Sequence, residues 1–383
     1  MPPNASLAPA DPIAAVTHAD PYPYYRDLAS TLPFYFDPAL KLWVAASAAA
    51  VAEVLNHADG RVRPAAQPVP PSLAGSAAGD LFGRLIRMND GVAHAPLKAI
   101  VARQMAALDL SDTRSRARAL AAALPRVDHD DAHEANRWMF TLPVLAIADL
   151  LGLPLERDAD GHVSTRVAGF VATFAAAMSP LASPADVEAG VAAAQWLMRL
   201  AQTAGDRETA DSGLLVALAQ AGGDSNMDPA TLTANAIGLM IQSCEATAGL
   251  IGNTLVYLGR TGWQGADIAA SVDRVARIDP PVQNTRRFMA ADAMLCGQQV
   301  KAGDAVLVLL AAAAHDPSAA VDDRAWTFGA GRHGCPGDAL ARVLATCTVE
   351  ALLARDVHPD RLAVSVRYRP SVNARIPSFS SNN

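Results

Sequence analysis

A glycine-rich segment around one cysteine carries the most specific chemistry in this sequence. The segment reads FGAGRHGCPG over 328–337 and runs into an apolar stretch over 339–345 that predicts a helix. A helix N-terminus favours an anion, which for Cys335 is the thiolate. Four small residues let the backbone approach a flat ligand closely, namely Gly329, Gly331, Gly334 and Gly337. Cys335 is therefore a candidate metal ligand of the kind that suits haem iron.

The segment resembles the haem-binding loop of the cytochromes P450, whose pattern is Phe-x-x-Gly-x-(His/Arg)-x-Cys-x-Gly. Every fixed position is occupied, by Phe328, Gly331, His333, Cys335 and Gly337. The resemblance implies one haem b with Cys335 as its axial thiolate. It also implies that His333 contacts a haem propionate and that Phe328 packs on the sulfur side of the porphyrin.

A second candidate group of residues lies on a predicted helix that ends near Ala107. His94 and Lys98 are four residues apart and therefore share one helix face. This resembles the P450 pattern His-x-x-x-Arg, which holds a haem propionate. Here lysine replaces the forked guanidinium by a point charge. The same resemblance predicts that Arg287 reaches a propionate.

The third candidate segment is the centre of a long helix predicted from about Asp228 to Tyr257. Its sequence over 241–248, IQSCEATA, resembles the P450 helix that forms the oxygen-binding groove. In the register that its flank fixes, Glu245 is the acid and Ala246 stands where an alcohol binds oxygen. A one-residue step rotates a side chain by about 100° on a helix, so the next residue does not replace that alcohol directly. The catalytic candidates are Gln242, Ser243, Glu245, Ala246 and Thr247.

The Glu-x-x-Arg motif of the P450s has an altered counterpart. Arg277 matches the arginine, but Arg274 occupies the glutamate position. Asp273 precedes Arg277 by four residues, in the favourable acid-first order. We expect Asp273, or a loop carbonyl, to be the partner of Arg277.

Length and composition favour one large, mainly α-helical domain. The chain has 383 residues, of which 51% are hydrophobic, so it can bury a large core. No Pro/Gly/Ser-rich linker divides it, which predicts a single domain over 1–383. The resemblance implies the P450 fold with small β-sheets, and the strands are expected over 32–46, 288–295 and 305–310. The spacing of the four cysteines matches neither a disulfide framework nor a zinc site.

Charge and hydropathy limit the partners. A net charge of −7 gives no support for nucleic-acid binding. The N-terminus lacks a signal-peptide pattern, and no stretch is long and apolar enough to cross a membrane. We therefore expect a cytoplasmic protein of the bacterial P450 type. No flavin or iron–sulfur domain is fused to it, so a separate ferredoxin and ferredoxin reductase would supply electrons.

Three hypotheses on function remain open. The first is monooxygenation of a small-molecule intermediate of secondary metabolism, with dioxygen as oxidant. The second is a P450-fold enzyme with peroxide-driven, dehydratase-like or nitrogen-transfer chemistry, because Ala246 lacks the alcohol that positions protons. The third is a haem-binding protein without catalysis, suggested by Arg274. The substrate pocket is expected to be lined by parts of 67–81, 170–178, 237–245, 282–286 and 371–374.

Overall fold

Helices provide most of the regular structure, as the alanine-rich composition predicts. A computed structural model of the protein describes residues 8–92, 94–125, 130–205, 213–319 and 324–381. The α-helices are α1 (Tyr22–Thr31), α2 (Ala48–Asn56), α3 (Ala77–Arg84), α4 (His94–Ala106), α5 (Leu110–Ala123), α6 (Asp131–Leu150), α7 (Arg166–Ala177), α8 (Pro184–Gly205), α9 (Leu214–Gly223), α10 (Pro229–Thr261), α11 (Ile268–Ile278), α12 (Leu310–Ala314), α13 (Asp338–Leu353) and α14 (Pro359–Val364). Short 3-10 turns lie at Ala14–Thr17, Ile86–Met88, Trp326–Phe328 and Gly331–His333.

The strands are short and form three small sheets. They are β1 (Phe34–Asp37), β2 (Leu42–Ala45), β3 (Gly60–Arg61), β4 (Thr285–Met289), β5 (Ala293–Leu295), β6 (Gln298–Val300), β7 (Ala305–Val308), β8 (Val366–Tyr368) and β9 (Pro377–Phe379). The main sheet has the order β1-β2-β7-β4-β3, and only β2 and β7 run parallel in it. Two hairpins, β5-β6 and β8-β9, form the other sheets. The predicted strand over 288–295 is divided between β4 and β5, because Asp292 leaves the ladder to accept the N–H of Ala302 at 2.9 Å.

The long helix α10 is the central element of the helical part. It begins where the sequence predicts, because the carboxylate of Asp228 accepts the N–H groups of Ala230 and Thr231, and Pro229 suits a first turn. α10 packs against α6, α11, α13 and α14. Because α13 follows Cys335 directly, two of the candidate segments lie on helices that contact each other.

Two hydrophobic clusters hold the parts of the site in place. The larger one joins α3 to α11 with α13 and α14. The second packs the main sheet on α2 through apolar residues such as Val51, Leu55, Val306 and Val308. α2 is therefore anchored by the sheet. Among the residues that the structure describes, no helix combines the length and apolar character needed to cross a bilayer.

A buried arginine joins the N-terminal segment to the end of α11. Arg375 is 1% exposed, and its Nε donates to Asp279 Oδ1 at 2.9 Å. Its Nη1 donates to the carbonyl of His18 at 2.6 Å, and the guanidinium lies 3.5 Å from the ring centroid of Tyr368. The charge of Arg375 is thus compensated on several sides, as a buried ion requires.

We predict that Arg375→Met lowers the free energy of unfolding by about 3–5 kcal/mol, because it leaves the carboxylate of Asp279 without its cation. Denaturant unfolding measures the change. The matched control is Arg118→Met, which removes a surface ion pair with Glu350. We expect the control to cost much less, because an exposed ion pair contributes little to stability. Equal losses for the two variants would contradict the prediction.

Candidate functional site

The loop before α13 holds Cys335 in a defined position. The N–H of Cys335 donates to the carbonyl of Phe328 at 2.8 Å and closes the loop. Gly331 has a φ of 64°, and a Cβ added there would lie 2.6 Å from Asn56 Oδ1. Only glycine fits where the loop lies against the end of α2. Gly329 follows the turn at 326–328, and Gly337 directly precedes α13.

The surroundings of the Cys335 thiol combine burial with positive charge. Burial raises the pKa of this thiol, and Asp338 adds to the effect. The N–H of Gly337, with its nitrogen 3.4 Å from Sγ, favours the thiolate, as do Lys98 and Arg87. A metal ion at the sulfur deprotonates a thiol outright. Cys335 therefore fits a metal-bound thiolate.

Phe328 lies beside this loop and carries a guanidinium on its ring. Arg342 of α13 lies 5.0 Å from the ring centroid of Phe328, and its Nη1 is 2.5 Å from Oδ1 of Asp273. Within the described ranges Asp273 makes no bond to Arg277, so the first of the two expected partners is wrong, and a loop carbonyl as the partner of Arg277 stays a prediction. Asp273 binds Arg342 because α13 approaches α11 on that side. Arg274 lies over the ring of Tyr257, at 5.9 Å.

The four residues predicted to meet the propionates gather at one place. We call His94, Lys98, Arg287 and His333 the cationic cluster. The ring centroids of His94 and His333 are 4.3 Å apart. Lys98 Nζ donates to the carbonyl of Gly334, the neighbour of His333. Arg287 is within electrostatic range of Asp90, whose Oδ1 is 2.9 Å from His333 Nε2. The structure thus brings together α4, β4 and the cysteine loop.

Asp90 organises the cationic cluster. Its Oδ2 accepts the N–H of Val62 at 2.8 Å. Burial opposes ionisation, but the hydrogen bonds from His333 and Val62 hold the pKa of Asp90 at about 2. Burial, followed by His333 and Lys98, lowers the pKa of His94 to about 4. Near neutral pH, Asp90 is therefore an anion and His94 is a neutral ring that can donate a hydrogen bond.

Arg287 tests whether the cationic cluster fits a haem. Its side chain is 4% exposed, and burial lowers its pKa to about 10. Nη1 donates to the carbonyl of Arg286 at 2.8 Å, but Nε has no partner in the part of the chain that the structure describes. An unused donor on a buried cation is costly. A carboxylate would complete it, so the cationic cluster fits the two propionates of a haem.

The centre of α10 turns its polar groups in different directions. Gln242 Nε2 donates to the carbonyl of Gly238 at 3.0 Å, and Ser243 Oγ donates to that of Met240 at 2.8 Å. Both side chains thus bond to their own helix. Thr247 is 2% exposed, whereas Ala246 is half-buried and Glu245 is exposed. Thr247 therefore lies on a different face from Ala246, as the helical rotation predicts.

We infer that Cys335, Glu245 and Arg87 border one internal cavity. All three side chains have exposed surface, yet burial by surrounding protein is the largest influence on the pKa of each. Exposed surface inside dense protein indicates a cavity. Arg87 is within electrostatic range of both other groups, so the cavity extends from the cysteine loop to α10. The sequence analysis did not identify Arg87. The sequence feature that could have identified Arg87 is a single charge within the apolar run Leu85-Ile86-Arg87-Met88.

Comparisons with curated proteins return cytochromes P450. Over 234 residues the chain is 28% identical to a putative cytochrome P450 140 of Mycobacterium tuberculosis, covering 54% of this chain and 51% of the relative. Over 149 residues it is 31% identical to the biotin biosynthesis cytochrome P450 of Bacillus subtilis, covering 34% and 38%. Over 198 residues it is 29% identical to the 20-oxo-5-O-mycaminosyltylactone 23-monooxygenase of Streptomyces fradiae, covering 47% and 46%. The matches thus span about half the length of these relatives or less. No family model matches the chain.

Comparison with solved structures extends over nearly the whole chain. The ligand-free CYP164A2 of Mycobacterium smegmatis aligns with a TM-score of 0.73 and 25% identity, covering 96% of this chain and 97% of that one. P450BioI, solved with an acyl carrier protein ligated to hexadec-9Z-enoic acid, aligns with a TM-score of 0.72 and 22% identity, covering 94% and 98%. The predicted fold class is thus confirmed.

We predict that Lys98→Ala releases haem to a scavenger such as apomyoglobin about tenfold faster than the unmodified protein, because a charge-assisted hydrogen bond contributes roughly 1.5–3 kcal/mol. The matched control is Lys301→Ala, which removes a surface lysine that binds Asp292. Equal release rates for the two variants would show that Lys98 holds no propionate.

Proposed function

We propose that this chain, which belongs to the cytochrome P450 superfamily, is a haem-thiolate monooxygenase for a small-molecule biosynthetic intermediate. We further propose that residues 1–383 form one P450 domain and act in the cytoplasm. The names of the Bacillus subtilis and Streptomyces fradiae relatives support a biosynthetic substrate, since one refers to biotin biosynthesis and the other to a monooxygenase.

The position of Cys335 carries this proposal. The Cys335 loop is closed by its own backbone hydrogen bond and lies against α2 through Gly331. The cationic cluster begins one residue away, where Lys98 binds the carbonyl of Gly334. A soft anionic ligand beside donors for two carboxylates is the set that a haem b requires. When bound, the haem supplies oxygen activation and transfer to the substrate.

Each group of residues has a proposed role. Cys335 would bind the haem iron through its thiolate, and the cationic cluster would hold the propionates. Phe328 packs beside the sulfur, and Gly329 and Gly337 let the backbone approach the macrocycle closely. On α10, burial raises the pKa of the Glu245 carboxyl, while Arg369 and Arg87 lower it. Glu245 is therefore the candidate proton donor, through water.

Electrons are proposed to come from a ferredoxin and its reductase. An open depression of about 490 Å³ lies against the Cys335 loop and includes Arg324 and Arg342 in its wall. Arg324 is exposed and lies over the ring of Trp326 at 4.8 Å. Arg342 is paired with Asp273, and Asp338 also lines the depression, so Arg324 is the cation there that supports docking of an acidic electron carrier.

The centre of α10 favours a second candidate, a P450 with non-standard chemistry. Ala246 cannot donate a hydrogen bond, and Thr247 is buried on another face. The hydroxyl of Ser243 and the amide of Gln242 already donate to helix carbonyls. Delivery of protons to bound dioxygen normally needs a positioned donor. Peroxide-driven, dehydratase-like or nitrogen-transfer reactions do not depend in the same way on a hydrogen-bond donor at the centre of α10.

A non-catalytic role receives less support. It was suggested by Arg274 at the glutamate position, which removes an ion pair from α11. The Asp273–Arg342 pair instead joins α11 to α13. The helix after Cys335 is thus still tied to its neighbour, so Arg274 gives no reason to expect a disabled site.

The proposal predicts that Cys335→Ala abolishes the red-shifted absorption of the reduced carbon monoxide complex, because this band requires a thiolate on the iron. Difference spectroscopy measures the band, and Cys347→Ala is the matched control because Cys347 is buried on α13. A band that survives in Cys335→Ala would refute the assignment of the ligand.

The two catalytic candidates make opposite predictions for α10. If the second holds, Ala246→Thr leaves the coupling of NADH oxidation to product unchanged, and Gln242→Ala lowers peroxide-driven turnover by about a hundredfold or more, the range for one lost hydrogen-bond donor. If Gln242→Ala is silent in every assay and Ala246→Thr improves coupling strongly, the protein is an ordinary monooxygenase that lacks one hydroxyl. Turnover with a ferredoxin system and with peroxide separates the two.

A further inference from the structure

We propose that Arg87 binds a negatively charged group of the substrate, so that the enzyme selects small molecules with a carboxylate or similar anion. This inference rests on the proposed function, because it assigns the substrate class of the same cavity. It concerns a residue that no motif marked and that lies outside the cationic cluster.

The backbone around Arg87 is fixed on both sides. Ile86 N–H donates to Asn235 Oδ1 of α10 at 2.8 Å, and Asn235 Nδ2 donates to the carbonyl of Arg84 at 2.8 Å. Asn89 Nδ2 donates to the carbonyl of Gly83 at 2.8 Å. Asn235 is itself buried. The 3-10 turn at Ile86–Met88 is therefore clamped between α3 and α10, and Arg87 is presented from a rigid segment.

The Arg87 side chain has exposed surface and no fixed partner among the residues that the structure describes. Leu85 and Ile86 are buried. Leu85 packs so closely against α10 that a Cβ added at Gly238 would lie 2.7 Å from Leu85 Cδ2. The next residue, Arg87, has exposed surface and lies within electrostatic range of Glu245 and Cys335. Its side chain forms no hydrogen bond or ion pair with any residue in the described ranges. A desolvated guanidinium with five free N–H donors is a strong receptor for a carboxylate.

Arg87 and the cationic cluster differ in most of their neighbours, although Lys98 and Arg87 both lie within electrostatic range of Cys335. Arg287 and His333 share Asp90 as a neighbour, and Arg332 joins the same group. The neighbours of Arg87 are Glu245 on α10 and the thiol of Cys335. The four residues of the cationic cluster are already proposed to hold the propionates. Arg87 is therefore free to serve the other occupant of the cavity.

Glu245 lies within electrostatic range of this cation. Burial raises the pKa of the Glu245 carboxyl, while Arg369 and Arg87 lower it. Burial thus opposes a full negative charge on Glu245 beside Arg87. For an anionic substrate group, the guanidinium supplies the charge that binds it.

The test compares carboxylates with their matched alcohols on the ferric holoenzyme. The probes are unbranched chains from hexanoate to hexadecanoate and the corresponding primary alcohols. Binding is measured by the Soret shift and by calorimetry. We expect at least one carboxylate to bind about tenfold or more tightly than its alcohol, since 1.4 kcal/mol corresponds to a factor of ten. Absence of such a preference at every length, including no binding of either series, overturns the proposal.

Variants assign the preference to Arg87. Arg87→Gln is expected to weaken carboxylate binding about tenfold and to leave alcohol binding within about twofold. The matched control is Arg84→Gln, three residues earlier, whose guanidinium binds Asp228 at the surface; it should change neither series. An equal loss of affinity for carboxylates and for alcohols would mean that Arg87 contributes only through packing contacts. A preference that persists in Arg87→Gln, together with a lower haem content, would assign Arg87 to a propionate and overturn the proposal.

The two proposals fail in different ways. If the wild-type protein lacks the red-shifted carbon monoxide band, the haem-thiolate function fails. Calorimetry of acids against alcohols would then still report on Arg87 itself. If the band is present and the acids have no advantage, only the substrate class is refuted.

Discussion

The close packing of the cysteine loop on α2 is the constraint on which the candidate site depends. No side chain fits at position 331, because Asn56 lies in the way. Arg332 adds a second tie, since its Nη1 donates to the carbonyl of His57 at 3.0 Å. α2 is held in turn by the hydrophobic cluster under the main sheet. The sulfur of Cys335 is thus positioned by a sheet that is distant in sequence, and the Lys98–Gly334 bond depends on the same placement.

Charges in the interior are arranged in two groups, which share Cys335 as a neighbour through Lys98 and Arg87. Asp90 ties the cationic cluster together and stays ionised because His333 and the N–H of Val62 bind it. Arg87 and Glu245 form a second group on the cavity wall nearer α10. In a low-dielectric interior each unpaired charge is costly, so such groups select what the cavity accepts. We infer that one group serves the cofactor and the other the substrate.

The departures from the P450 pattern have different consequences. Arg274 replaces a glutamate, yet α11 and α13 stay joined because Asp273 binds Arg342. Ala246 replaces an alcohol, and no neighbouring hydroxyl on α10 is turned to its place, since Ser243 bonds to Met240 and Thr247 is buried. The first change is compensated by another element, which preserves the architecture. The second is not compensated within α10, which is why the reaction type is the open part of the proposal.

The sequence by itself determined the features that depend on neighbours along the chain. The Asp228-Pro229 start of α10, the shared face of His94 and Lys98, and the placement of Cys335 before α13 all follow from local spacing and capping. Only the tertiary structure decided which partner each side chain takes. Asp273 stands four residues before Arg277, yet it binds Arg342, because α13 brings a guanidinium to it. Arg87 faces a cavity because Asn235, far along the chain, clamps its turn. Spacing fixes the face of a helix on which a residue lies, but the partner depends on which distant element packs against that face.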